Sequence, residues 1–150
     1  MAAAIALHIL SAVIWVGGMF FAYVCLRPVA AQVLEPPQRL TLWRNVFQVF
    51  FKFVFACIAL LLVSGHFMIA QYGGMKVVGM HVHIMLLLGY IMTGIFLYVF
   101  FAPYKGLSQA VNDENWPEGA QFLNRIRQMV GLNLLIGLIT ILVASSGRFI

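Results

Sequence analysis

Residues 8–28 read HILSAVIWVGGMFFAYVCLRP, and residues 83–103 read HIMLLLGYIMTGIFLYVFFAP, so a similar apolar stretch recurs 75 positions further along the chain. Six of the 21 aligned positions are identical: His8/His83, Ile9/Ile84, Phe21/Phe96, Tyr23/Tyr98, Val24/Val99 and Pro28/Pro103. A parallel repeat in a membrane protein predicts a pseudo-two-fold axis along the membrane normal. Such an axis would place His8 and His83 at one depth, facing each other across the molecule.

The two halves also end alike, because Ser64-Gly65-His66-Phe67 is matched by Ser146-Gly147-Arg148-Phe149. The composition is 63% hydrophobic and 9% charged, which is typical of a membrane protein. Four apolar stretches, about 3–26, 47–70, 77–101 and 129–146, each reach the roughly 20 residues that cross a bilayer. We therefore predict an all-α bundle of four transmembrane helices over 1–150, built from two parallel two-helix repeats, about 3–70 and 77–147.

The positive charges predict how the bundle is oriented. Four basic residues flank the first connection: Arg27, Arg39, Arg44 and Lys52. Three flank the third connection: Lys105, Arg125 and Arg127. The second connection has only Lys76, and the C-terminus has only Arg148. By the positive-inside rule, the first and third connections are cytoplasmic and both termini lie outside. The net charge of +5 is thus explained by topology, and a nucleic-acid partner is not expected.

Proline and glycine mark the connections. Pro36-Pro37 and Trp116-Pro117 are typical of helix starts, and they predict that the second and fourth helices begin before the membrane. Gly73-Gly74 predicts a tight turn on the outer side.

All four histidines fall near the outer ends of the predicted helices. Counting about 1.5 Å per residue places His8, His66, His81 and His83 roughly 6–10 Å below the outer boundary. Ionisable groups inside a bilayer are costly and usually face the interior of a bundle, so these residues are functional candidates.

Helical phase separates the histidines. His83 shares a face with Gly79, Leu87, Tyr90 and Gly94, and His8 shares one with Ser11, Trp15 and Gly18; we expect both faces to point inward. Two imidazoles between small-residue faces predict axial ligands of a b-type haem. Other residues would then line the haem or its propionates: Trp15, Gly18 and Tyr90 as walls, and His66, Arg148 and Lys76 at the propionates.

Two alternatives stay open. His81 lies about 200° from His83 and shares a face with Met85, and further methionines gather nearby: Met68, Met75 and Met80. Imidazole and thioether ligands suit Cu(I), so a copper site of His81, His66 and Met85 is the first alternative. The second is a cofactor-free membrane subunit whose cytoplasmic helix extensions dock a partner. His8 and His83 would then only hydrogen-bond between helices.

The segments His8-Ile9-Leu10 to Trp15-Val16-Gly17-Gly18 and His81-Val82-His83-Ile84 resemble the copper-resistance D (CopD) family, and more distantly the HemJ-type protoporphyrinogen oxidases. The resemblance implies a bacterial inner-membrane protein. The HemJ-type proteins imply b-type haem on these histidines, and the CopD proteins imply copper import or tolerance. Met85 stands where the HemJ pattern has lysine, which argues against porphyrinogen oxidation.

From these patterns we expect a redox protein that exchanges electrons with a lipophilic partner, of quinol or porphyrinogen type, or with a redox protein. If it is an enzyme, it is an oxidoreductase. The lipid bilayer is the expected environment, and a homodimer is one possible assembly.

Overall fold

The computed structural model describes residues 1–147, and no strand occurs in that range. The helical elements, in chain order, are α1 (Ala2–Phe20), a π-helical segment (Phe21–Leu26), α2 (Arg27–Val33), α3 (Pro36–Gln71), α4 (Met80–Phe101), α5 (Pro103–Asn112) and α6 (Trp116–Ser146).

These elements make four spans, because α1 to α2 and α4 to α5 each continue with little interruption. Each span is long and apolar enough to cross a membrane: Ala2–Val33, Pro36–Gln71, Met80–Asn112 and Trp116–Ser146. The predicted four-helix membrane protein is therefore confirmed. The repeat and the sides of the termini stay predictions.

The helices start and stop where the sequence signals lie. Pro36 and Pro37 open α3 after an extended Glu35. Proline has no backbone N–H, but the first N–H groups of a helix have no intrahelical partner, so proline costs no hydrogen bond at these positions. Asn115 caps α6: its side chain accepts from the backbone N–H of Glu118 at 3.4 Å and donates to the Glu118 carboxylate at 2.7 Å. Gly73 and Gly74 have φ of +100° and +89°, as the predicted turn requires.

The four spans pair side by side. α1 lies along α3, and α4 lies along α6. Trp15 of α1 meets Phe96 of α4 edge-on, with ring centroids 6.3 Å apart. Gly137 of α6 lies between Val16 and Met92, since a Cβ built there would be 3.0–3.1 Å from each. The middle of the bundle is thus closed by direct contact between side chains.

Aromatic rings fill the half of the core that lies away from the histidines. Phe47 and Phe51 stack at 5.1 Å between centroids, and Phe51 meets Phe96 and Tyr104 edge-on at 5.3 and 5.0 Å. Such pairs add stabilisation beyond the burial of their area. This half of the bundle is therefore a packed support for the histidines at the other end.

Candidate functional site

The best-defined histidine contact joins α1 to α3. Nδ1 of His8 lies 2.9 Å from Oγ of Ser64, and that hydroxyl also lies 2.5 Å from the carbonyl oxygen of Leu60. A carbonyl only accepts, so Ser64 gives its one proton to Leu60 and accepts from the Nδ1–H of His8. The neutral His8 ring therefore carries its proton on Nδ1, and its Nε2 lone pair is free to bind a metal or accept a proton.

His8 faces the inside of the bundle. It lies seven residues before Trp15, so the two side chains differ by only about 20° around α1. Trp15 is buried with 3% of its surface exposed, and the neighbouring Ser11 is buried as well. The His8 ring also leans on α3, because a Cβ on Gly65 would come within 3.3 Å of Cε1. The expected inward orientation of the His8 face is confirmed.

His81 occupies a comparable place between α4 and α6. Its side chain packs directly onto the backbone of Gly147, at the end of α6. It lies 11 residues before Met92, a difference of about 20° around the helix. Met92 is 4% exposed, so His81 is on the inward face of α4, with Met85 one turn further along that face. His8 and His81 each rest on the glycine of a Ser-Gly pair in the neighbouring helix.

His83 lies on the opposite face of α4 from Met92, although its own side chain is half-buried, as is that of His81. His83 lies nine residues before the buried Met92, a difference of about 180°. Leu87 and Tyr90 on its face are 61% and 47% exposed, and a Cβ on Gly94 would meet nothing within 4 Å. Small residues suggested a close approach on this face, but the larger side chains that face the core decide the phase of α4. The Nδ1 of His83 lies 3.3 Å from the carbonyl oxygen of Gly79 in its own helix.

His66 links α3 to α4 through a hydrogen bond. Its Nδ1 donates to the carbonyl oxygen of Leu62 at 2.8 Å, and its Nε2 accepts from the hydroxyl of Tyr90 at 3.0 Å. The rings of His66 and Tyr90 are inclined at 64°, with centroids 6.2 Å apart. Because both ring nitrogens of neutral His66 are engaged, this side chain is less available to a ligand than His8.

The residues expected around a haem do not form a slot for one. The notch at Gly18 is filled by the ring of Phe50, and Trp15 is packed against Phe96. Tyr90 lies on the outward face with His83. Lys76 is exposed in the turn before α4, and Arg148 lies outside the described residues. The surfaces of α1 and α4 that we assigned to the haem therefore do not face a common space.

In both halves a methionine lies further along the same helix face as the inward histidine, and neither methionine was among the residues expected to bind haem. Met19 lies 11 residues after His8, as Met92 lies 11 residues after His81, and both methionines are buried. Within residues 1–147, no three His, Cys, Asp or Glu side chains are grouped so that they could hold a metal ion. Any metal site here would therefore draw on imidazole together with thioether sulfur.

Sequence reasoning missed the role of Ser64, although its signal was present. The matched Ser64-Gly65 and Ser146-Gly147 pairs mark the two places where a histidine leans on the neighbouring helix. Aligning the halves on those contacts pairs His8 with His81 instead of His83.

Comparison with known proteins gives one match. A family model described as "Copper resistance protein D" matches residues 44–146. The search of curated proteins and the search of solved structures give no match.

Proposed function

The chain belongs to the copper resistance protein D family, and on that premise we propose that it binds copper(I) as its cargo near the outer end of the bundle. The observation that carries the proposal is the bond between His8 and Ser64, which leaves Nε2 of an inward-facing imidazole without a proton. A hydrogen-bond acceptor beside the ring N–H is usual for histidines that ligate metals through the other nitrogen.

The proposed ligands are His8, His81 and Met85. His81 and Met85 are four residues apart on one helix, so their side chains share the inward face of α4. Cu(I) is soft and binds thioether sulfur and imidazole nitrogen in preference to carboxylate. The four acidic residues of the sequence all lie in the first and third connections, at the other end of the bundle: Glu35, Asp113, Glu114 and Glu118. His66, an earlier candidate, is left out because both of its ring nitrogens are hydrogen-bonded.

The buried methionines suggest where the ion would go next. Met92 lies on the same face of α4 as His81 and Met85, and Met19 of α1 is buried as well. The thioether sulfur atoms of these methionines would offer Cu(I) weak, replaceable ligands within an otherwise apolar core. We propose that the protein passes copper inward through the bacterial inner membrane, with both termini on the outer side.

The test is a Cu(I) titration of the purified protein against a chromophoric Cu(I) chelator, with an absorption spectrum of each sample. Wild type is expected to bind one Cu(I). His8→Ala and His81→Ala are expected to lose that binding, while the outward-facing His83→Ala keeps it and serves as the matched control.

Three results would overturn the proposal. A Soret band with sharp bands on reduction, lost in His8→Ala, would identify a haem protein. Loss of Cu(I) in His83→Ala alone would place the metal on the other face of α4. A colourless protein that binds no Cu(I) would favour the cofactor-free subunit.

A further inference from the structure

A cavity of about 700 Å³ opens at the end of the bundle opposite the histidines. Its walls come from the π-helical segment and α2, from the start of α3, and from the first half of α6. A volume of this size is typical of sites that hold a small organic molecule. The copper proposal makes no use of this cavity.

Three arginines from three different elements line the cavity. Arg27 is in α2, Arg39 is in the first turn of α3, and Arg127 is in α6. No Asp or Glu is among the described lining residues. Guanidinium groups present planar pairs of N–H donors that match the oxygens of phosphate or carboxylate. The cavity therefore has an unneutralised positive rim suited to an anion.

The wall behind the arginines is apolar and aromatic. Trp43 and Phe47 line it and are 6% and 5% exposed, and Tyr23 extends it. Arg27 lies over the Tyr23 ring at 5.0 Å from the centroid, which holds the guanidinium at the rim. A ligand for this cavity combines an anionic head with an apolar body.

The helix geometry at this wall is unusual. Residues Phe21–Leu26 form a π-helical turn, and such turns inside α-helices are frequently found at functional sites. The turn carries Ala22 and Tyr23 into the lining, and Tyr23 fits against Gly131 of α6, where a Cβ would lie 2.8 Å from its ring. This turn therefore shapes one wall of the cavity.

The position of the cavity relative to the membrane indicates where the anion comes from. Arg27, Arg39 and Arg127 lie just outside the apolar stretches 3–26, 47–70 and 129–146, so the rim lies at the level of the lipid headgroups. Basic pockets between transmembrane helices at this level bind anionic headgroups. We propose that the cavity binds an anionic phospholipid, with its phosphate on Arg27, Arg39 and Arg127 and its glycerol and upper acyl chains against Trp43 and Phe47.

The proposal is tested by native mass spectrometry of the full chain in detergent, titrated with phosphatidylglycerol or with phosphatidylcholine. Wild type is expected to retain one phosphatidylglycerol and to bind phosphatidylcholine more weakly. Arg127→Gln is the first variant because this side chain is exposed and its loss leaves the core intact. We expect it, and Arg27→Gln, to weaken phosphatidylglycerol binding by about fivefold each.

Arg125→Gln is the matched control, since Arg125 is exposed on the same helix but does not line the cavity. An equal loss in Arg125→Gln would show attraction to net charge alone and would overturn the proposal. Equal retention of the two lipids would do the same. Displacement of bound phosphatidylglycerol by millimolar inorganic phosphate would show that the site takes the free ion and not the lipid.

Discussion

His81 packs directly onto the backbone of Gly147, so its side chain lies between the start of α4 and the end of α6. The backbone of Gly147 is in the right-handed helical region, with φ −62°, which every residue adopts. Glycine is therefore needed at this position for its small size and not for its conformation. The contact joins the inward face of α4 to the end of α6.

Gly147→Ala is expected to destabilise the protein by about 1–3 kcal/mol, because the new methyl group overlaps His81 and forces the helices apart. It should also weaken Cu(I) binding by moving the proposed ligand. Unfolding in mixed micelles and Cu(I) titration measure the two effects. Gly89→Ala is the control: its Cβ would meet nothing within 4 Å, and this change should stabilise α4 by about 0.5–1 kcal/mol. Unchanged stability in Gly147→Ala would contradict the close contact.

Ser64→Ala removes the acceptor that holds the proton of His8 on Nδ1. Loss of such an outer partner typically lowers metal affinity about 10- to 100-fold, and we expect that range for Cu(I). Ser11→Ala is the matched control, because Ser11 is also buried and bonds a carbonyl of its own helix, that of Leu7, at 2.8 Å. Equal affinities in the two variants would show that Ser64 does not act through His8.

Much of the fold could be predicted because it depends on local signals. The length of each apolar stretch sets a span, Pro36 and Pro117 set helix starts, and Gly73-Gly74 sets a turn. The π-helical turn at Phe21–Leu26 had no such signal, since it depends on how Tyr23 fits against Gly131 of another span.

The candidate site was predicted less well, because in a chain this apolar the inward face of a helix is poorly marked. Gly79 and Gly94 beside His83 suggested close packing, yet the burial of Met92 and Phe96 turns that face outward. The inward direction of His8 was predicted correctly, since Ser11 and Trp15 share its face. The contact of His81 with Gly147 joins residues 66 positions apart, and only the folded arrangement brings the two together.

Met92→Leu tests the proposed passage of copper through the core. Met and Leu are similar in volume, so the substitution should cost less than about 1.5 kcal/mol of stability. Cu(I) bound at the outer end should be unaffected, while uptake into proteoliposomes should slow several-fold because a soft ligand is lost. Met75→Leu, at an exposed position in the turn before α4, is the control. Uptake at the wild-type rate would exclude Met92 from the route.

The predicted orientation is tested by labelling single cysteines in intact cells. In a background with Cys25 and Cys57 replaced by serine or alanine, Lys76→Cys and Asp113→Cys place one thiol in each of two exposed connections. A membrane-impermeant maleimide should label position 76 directly and position 113 only after permeabilisation. The reverse pattern would place both termini in the cytoplasm.

Asn133 is the clearest polar residue in the core, and its Oδ1 has no hydrogen-bond partner within residues 1–147. The side chain is 3% exposed and lines a cavity of about 20 Å³ beside Trp15 and Met19. A buried carbonyl without a partner costs about 1–3 kcal/mol, so Asn133→Leu should raise the free energy of unfolding by about 1 kcal/mol in mixed micelles. The exposed Asn45→Leu should change it by less than about 0.5 kcal/mol. Destabilisation by Asn133→Leu would instead mean that the amide holds a water molecule in the cavity, which is large enough for one.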